Sequence, residues 1–472
     1  MPDSSNARIA LGLVGALVFV EFISGFLQNY YMPVIADIGR YLNVNDADLN
    51  WLEAAQFLMS ALCVPPLSKL ADFIGHRRML FWAAIVVAAA TWGIAFSTSF
   101  GVYLSFWAIQ GVLAVWLPLE VALIFLRSAG DPDQADNTRK ATGTIVAALM
   151  GGAIAAAIAS PAASAIFDDM RMVLAVPAVL ATIAVLIIWP MSDAGHVPQP
   201  AKLDLPGLAM LAGILILVSL SLTLIRLLGY ASPWPWISLT AGLTLIIPFT
   251  KFELGRDEPI VDFRVMAARA MWPVQLTSLL LGITLVSAAI PLSTYAQTDP
   301  HEYGFGLGLE PAYVGPILLG YAFAMLIGAT IFGEISSVVG PRNCLIGAML
   351  LVAGGYGAMT FYHDSFLSVA FSMTPVGFGS GAMLAAIPAA AAAAAPAGGT
   401  GIATGLTGMT RTIGGSIASC VFGVALAAGA GTGTAASLSG YYTVWIVSSV
   451  AAVVAAITLF FVPATAFVDE AA

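Results

Sequence analysis

Fourteen long apolar runs, separated by short polar stretches, dominate this chain, and each is about as long as a helix must be to cross a bilayer. Crossing roughly 30 Å of hydrocarbon takes about 20 helical residues, and inside lipid every backbone N–H and C=O must find its partner within the segment. The runs lie at about 9–32, 51–70, 79–97, 101–126, 141–166, 171–191, 205–227, 233–251, 271–295, 312–335, 343–361, 365–394, 401–428 and 440–463, here called spans 1 to 14. A soluble fold could not absorb them: 60% of the 472 residues are hydrophobic and 9% are charged, whereas a soluble domain carries roughly 25% charge. Mean hydropathy is +0.93. The first run starts near Ile9 and is too long for the apolar core of a cleavable signal, so it is expected to persist as a span. The expected fold class is an all-α polytopic membrane protein in a cell (inner or plasma) membrane.

Orientation follows from lysine and arginine, which favour cytoplasmic loops. With the first loop placed outside, the inside segments hold Arg8, Lys69, Arg77, Arg78, Arg127, Arg139, Lys140, Lys202, Lys251, Arg256, Arg264, Arg269 and Arg342, and the outside loops hold only Arg40 and Arg171. Arg226 sits at an outer helix end and Arg411 within a span. An even number of spans then puts both termini in the cytoplasm. The stretch 251–269 is mixed in charge and amphipathic, which predicts a short interfacial helix before span 9. The small-residue stretch 381–398 reads as a close helix-packing surface.

Composition also excludes several functions. The net charge of −9 is spread over short loops with no basic stripe, so no nucleic-acid partner is expected. Cys63, Cys344 and Cys420 all lie in apolar runs without metal-ligand spacing. No Walker-type phosphate loop or H-E-x-x-H pair occurs, and the four histidines are scattered at loops. Neither an enzyme, a metal site nor a cofactor is expected.

Two segments repeat. The loop after span 2 reads Ser68-Lys-Leu-Ala-Asp72-Phe-Ile-Gly75-His76-Arg77-Arg78, and the loop after span 10 ends Gly340-Pro341-Arg342. Glycine and arginine recur at one offset, Gly75 to Gly340 and Arg77 to Arg342, and Gly151-Gly152 recurs as Gly414-Gly415 at almost the same offset. Two six-helix bundles are expected: 1–195, and 256–472 with the interfacial segment before span 9. Spans 7 and 8 would be inserted between them at 196–255. Duplicated bundles around a midplane site are a transporter architecture.

These motifs resemble the major facilitator superfamily and, within it, the fourteen-helix drug:proton antiporter family. Leu70, Ala71, Asp72, Gly75, Arg77 and Arg78 fit the family's G-x-L-A-D-R-x-G-R-[RK] loop, with Ser68, Phe73 and His76 as departures. Asn29, Pro33 and Ile35 fit the span 1 pattern, with Ser24 at its acidic position. Gln110-Gly111 and Pro118 fit span 4, where Trp107 replaces the family's arginine. In span 5 only Pro161 and small residues survive of the antiporter motif, whereas 401–417 with Arg411 looks very like the family's penultimate long helix. The resemblance implies the major facilitator fold and a gating role for Asp72, Gly75, Arg77, Arg78, Gly340 and Arg342. The plainer reading is a loop that orients the chain by its charge.

Ionisable residues inside the runs need no family to draw notice. A charge at mid-bilayer costs at least about 2.5–3.5 kcal/mol, so it should face a cavity or a partner. Glu21 lies near the middle of span 1, with Gly25, Gln28 and Asn29 on a similar face. Glu120 follows Pro118 in span 4, and Glu53 lies near the outer end of span 2, where a water-facing vestibule is expected. These are the proton-coupling candidates; the structural alternative is a hydrogen bond or ion pair, for example Glu21 with Arg411. Substrate-binding candidates are Gln28, Asn29, Tyr30, Trp107, Gln110, Trp116, Gln275, Tyr295, Tyr321 and Arg411, with Tyr31 and Phe323 as further aromatics; packing is the alternative for each.

The expected function is proton-coupled efflux of small amphipathic organic compounds by alternating access. The proton gradient would supply the energy, the partners would be substrate, protons and lipid, and the transporter would act as a monomer. The alternatives are a proton-independent or symport-type solute or lipid transporter, and a non-transporting membrane sensor.

Overall fold

The structure, a computed structural model, describes residues 4–127, 134–191, 204–256, 259–394, 400–430 and 435–462. The expected boundary at 195–196, Lys202, and residues 395–398 of the small-residue stretch lie outside the described residues. Every described residue in regular structure is helical. Among the described residues, thirteen helices, starting with Asn50–Ile74 and ending with Leu438–Leu459, are long and apolar enough to cross a membrane. Ser4–Asn29 precedes them at the place of span 1. Many large apolar side chains on these helices are exposed, Phe371 at 81%, Leu186 at 64% and Ile247 at 60% among them. Such a surface is stable against lipid and not against water.

Contacts gather the chain into two compact units. The first comprises Met1–Val34 and Met59–Leu203, and the second Ile35–Leu58 and Asp204–Ala472. Spans 7 (Leu205–Leu228) and 8 (Pro233–Leu254) therefore belong to the second unit. The first eight residues of span 2 to leave the outer loop, 51–58, belong there too.

Both units rest on helix crossings at which backbones touch. In the first unit an ideal Cβ on Gly152 would lie 1.9 Å from the Phe22 carbonyl oxygen, and one on Gly25 would lie 1.9 Å from that of Leu149. In the second, a Cβ on Gly282 would meet the Arg411 carbonyl at 2.1 Å and one on Gly414 the Leu279 carbonyl at 2.2 Å. Spans 1 and 5 thus cross as spans 9 and 13 do, because small residues let helices approach where lipid offers no hydrophobic drive. Gly381, in the small-residue stretch, likewise packs on the Met325 carbonyl.

The Gly-x-Arg repeat is structural as well. Gly75 (φ 105°) and Gly340 (φ 87°) turn the chain between two long helices in a region of backbone space that disfavours L side chains. Two residues on, Arg77 reaches the carbonyl oxygens of Ile188 (3.3 Å) and Trp189 at the end of span 6. Arg342 reaches the Phe460 carbonyl at the end of span 14. Each arginine satisfies carbonyls that a helix C-terminus leaves open, and its charge suits that end of the helix dipole.

Three elements differ from the sequence reading. Span 4 is broken: Phe100–Gln110 ends in a tighter 3-10 turn, Gly111–Val115, before Trp116–Arg127 resumes. Span 9 breaks at Ala288-Ala289, between Met271–Ser287 and Ile290–Gln297. An eight-residue helix, Ile35–Leu42, follows span 1 after the Met32–Val34 turn. The interfacial helix expected in 251–269 is a single turn, Phe263–Met266.

Replacing Gly152 by valine is expected to force spans 1 and 5 apart and to lower the stability of detergent-solubilised protein by about 1–3 kcal/mol or more. Gly151→Ala is the control, because a Cβ there meets only the Phe22 ring at 3.7 Å. Thermal melting of the two variants side by side checks the asymmetry.

Candidate functional site

The break in span 4 organises the polar residues of the first unit. The carbonyl of Gly111, the first residue of the turn, accepts the Ser60 hydroxyl at 2.8 Å. Gln110, at the last turn before the break, is 1% exposed. Its Nε2 donates to Thr91 Oγ1 at 3.0 Å and reaches Tyr31 Oη at 3.5 Å. Tyr31 packs edge-on against Trp107 with ring centroids 4.7 Å apart, and Trp107 stacks on Tyr103 at 5.8 Å. The Trp107 Nε1 and the Tyr103 hydroxyl are buried without a hydrogen-bond partner. A broken helix flanked by unspent polar atoms is a common setting for a membrane binding site.

Beyond the break, Glu120 is fully buried and neither of its oxygens has a hydrogen-bond partner. Glu21 on span 1 is also buried, with Oε2 unpartnered. The two carboxyl groups lie within electrostatic reach of each other. In a low-dielectric setting a second negative charge beside the first is costly unless a cation or a proton accompanies it. This pair is the strongest chemical feature of the unit.

The remaining candidates in the first unit fall into two groups. Gln28 and Asn29 are exposed; Gln28 donates to Ser24 Oγ at 3.1 Å and Asn29 to the Gly25 carbonyl at 2.9 Å. Tyr30 and Trp116 are buried in packing. The Tyr30 hydroxyl is spent on the Val173 carbonyl at 2.9 Å, and Trp116 sits in the hydrophobic core among Leu113, Leu119 and Leu123. In the loop after span 2, Asp72 is exposed with His76 Nε2 at 3.3 Å, and Arg78 is exposed.

The second unit carries its own polar pair at the span 9–13 crossing. Thr410 donates to Gln275 Oε1 at 2.9 Å, and Arg411, next in sequence, is half-buried. Tyr321 is half-buried on span 10. Tyr295 is fully buried among Phe305, His363, Tyr441 and Trp445, and its hydroxyl donates to the His363 carbonyl at 3.1 Å. Phe323 is exposed. Glu53 departs from the vestibule expectation: it is 5% exposed, because span 13 lies over the start of span 2. Ser416 donates to the Ala54 carbonyl at 2.9 Å, and Ser419 donates to that of Asn50. Glu21 and Arg411 belong to different units.

Sequence reading passed over the segment between spans 1 and 2. Its Asn45 donates to the Ala435 carbonyl at 3.3 Å, and the Arg226 guanidinium at the end of span 7 lies 3.3 Å from the Asp48 carboxylate. Asp46, in the same loop, is buried enough that desolvation pushes its carboxyl up to about 7, against the opposing pull of Arg40. A carboxyl raised in the folded state stabilises most below its unfolded value near 4, and that stability is lost as pH rises through about 7. Asp46→Asn is therefore expected to flatten the melting temperature between about pH 4 and about pH 7, measured against wild type in the same detergent.

Comparison with known proteins agrees with this architecture. The sequence pattern that defines the Major Facilitator Superfamily matches residues 17–419. The chain is 24% identical over 408 residues to the tetracenomycin C resistance and export protein of Streptomyces glaucescens, covering 84% of this chain and 72% of that one. It is 24% identical over 441 residues to the multidrug transporter protein MdtP of Bacillus subtilis, covering 91% and 77%. It is 25% identical over 412 residues to the methyl viologen resistance protein SmvA of Salmonella typhimurium, covering 84% and 80%. Among solved structures, a peptide transporter of the POT group superposes with a TM-score of 0.68 at 16% identity, over 98% of each chain.

Proposed function

This chain belongs to the Major Facilitator Superfamily, and from that premise we propose that it is a proton-coupled exporter of amphipathic organic compounds, of the fourteen-helix antiporter type. It is a multi-pass membrane transporter of small molecules and not an enzyme. Relatives named for resistance and export of organic compounds support the direction and the substrate class.

The observation that carries the reading is the Glu21–Glu120 pair. Three of its four oxygens are buried and unpartnered, and the two groups act on each other electrostatically. A proton is the smallest ion that can neutralise such a pair. Exchange of that proton for a substrate, or a change in conformational preference on protonation, couples the gradient to transport. The rings of Tyr31, Tyr103 and Trp107 and the Gln110 amide cluster beside the break in span 4, and small-molecule sites are built from such side chains.

Glu21→Gln is expected to abolish export driven by an imposed pH gradient in reconstituted vesicles while leaving the melting profile close to wild type. Glu120→Gln should act in the same direction. Undiminished gradient-driven export by both variants would remove the coupling role. A second reading, facilitated diffusion, draws on Trp107, which is buried and stacked where the family carries an arginine. Collapsing the gradient separates the two: a uniporter still equilibrates its substrate, and an antiporter stops.

A further inference from the structure

The inner ends of spans 7 and 8 carry two acidic side chains that the transport reading does not use. Asp204 caps span 7, its Oδ1 accepting the Gly207 backbone N–H at 3.1 Å. Arg256 lies 4.0 Å from the same oxygen. Glu253, in the last turn of span 8, is 1% exposed, and its Oε2 accepts the Val261 backbone N–H at 3.1 Å. The second oxygen of each group, Asp204 Oδ2 and Glu253 Oε1, is buried and has no donor. These two oxygens converge. An ideal Cβ on Gly207 would lie 2.6 Å from the first and 2.2 Å from the second, so both occupy a space that only a glycine leaves open. The two carboxyl groups are within hydrogen-bonding reach of each other. Ionised carboxylates only accept, so a bond between them requires a proton.

We propose that Asp204 and Glu253 hold one proton between them and act as a proton-binding clamp at the inner end of the two inserted spans. A metal ion fits the same place poorly. Calcium takes six or more oxygen ligands and magnesium near-ideal octahedral coordination. Only two oxygens here are unspent, and among the described residues no group of three metal-ligating side chains occurs. Charge balance agrees, since one proton leaves a single negative charge opposite Arg256. Among the described residues, the other charged groups nearby are turned elsewhere. Lys251 is exposed, Asp262 accepts from the Arg264 and Val265 backbone N–H groups, and Arg264 donates to the Leu254 carbonyl. Asp257 and Glu258, in the same linker, lie outside the described residues.

The clamp joins three pieces of chain: the start of span 7, the end of span 8 and, through Val261, the linker into span 9. Loss of the proton places like charges on converging oxygens, which weakens the grip on that linker. The charge bias of the loops puts this end in the cytoplasm, so cytoplasmic pH sets how firmly the linker is held. None of this depends on what the transporter carries or on Glu21.

The test is thermal melting of the full-length protein in detergent from about pH 4, near the unfolded carboxyl value, to about pH 9. Wild type is expected to lose several degrees as pH rises, because the folded pair holds a proton that the unfolded chain has released. Asp204→Asn keeps an acceptor for Gly207 and offers a permanent N–H to Glu253 Oε1, so its profile should be markedly flatter, as should that of Glu253→Gln. Arg256→Gln leaves the pair intact but removes the facing cation, and should move the midpoint of the wild-type decline to higher pH. Parallel slopes for wild type and Asp204→Asn overturn the proposal. If the amide variants do not fold, an unmoved midpoint in Arg256→Gln overturns it. A rise in wild-type melting temperature with added magnesium or calcium, absent in Asp204→Asn, replaces the proton with a metal and overturns it as well.

Discussion

Hydrocarbon cannot hydrogen-bond, and the organisation of this protein follows from that one fact. Each crossing segment must satisfy its own backbone, which leaves helices as the economical solution for a chain with fourteen apolar runs. Lipid also removes the hydrophobic drive that packs helices in water. Helices must then meet by close van der Waals contact, and glycine is what permits it. Gly25 and Gly152 in the first unit, and Gly282 and Gly414 in the second, bring backbone against backbone at the same pair of crossings. The repeat seen in sequence is the repeat of that contact.

The same constraint explains where polar residues gather. At the Gly111–Val115 turn the backbone tightens, and the Ser60 hydroxyl bonds to the Gly111 carbonyl from another helix. Around the break the structure leaves donors and carboxyl oxygens unspent, which lipid would penalise on an outward face. Glu21 Oε2 and both Glu120 oxygens are buried without a partner, and a charge there would be costly. The Asp204–Glu253 pair follows the same logic at the membrane's edge, with the difference that its remaining oxygens are already tied to backbone N–H groups. Glu120, by contrast, has no hydrogen-bond partner on either oxygen.

Arg77 and Arg342 show how a motif can be legible while its work is not. The Gly-x-Arg spacing is plain in sequence, and the resemblance implies a gate. In the structure both arginines close the C-terminal ends of spans 6 and 14, whose carbonyls lie more than a hundred residues further along the chain. Anchoring the last helix of each six-span set is a structural task, and it is compatible with a gate pivoting at the same turn. Tyr295 and Tyr30 make the opposite point. Both look like cavity aromatics in sequence, and both spend their hydroxyls on carbonyls of distant segments.

By itself the sequence determined that the chain is all-helical and crosses a membrane many times, and roughly where each crossing lies, because apolar length is a local property and the bilayer sets a fixed thickness. It also determined that charges such as Glu21 and Glu120 needed an explanation, since a carboxyl in an apolar run is costly wherever that run packs. Only the tertiary structure decided which charges meet. Glu120 finds Glu21 from another helix, Glu53 is covered by span 13 where a vestibule was expected, and Asp204 meets Glu253 from the far end of the next span. Each of these depends on which helix faces cross and at what height. In a chain so uniformly apolar, hydrophobic periodicity carries almost no information about facing, and the crossings are set by a few glycines whose partners are backbone atoms with no signature in the sequence.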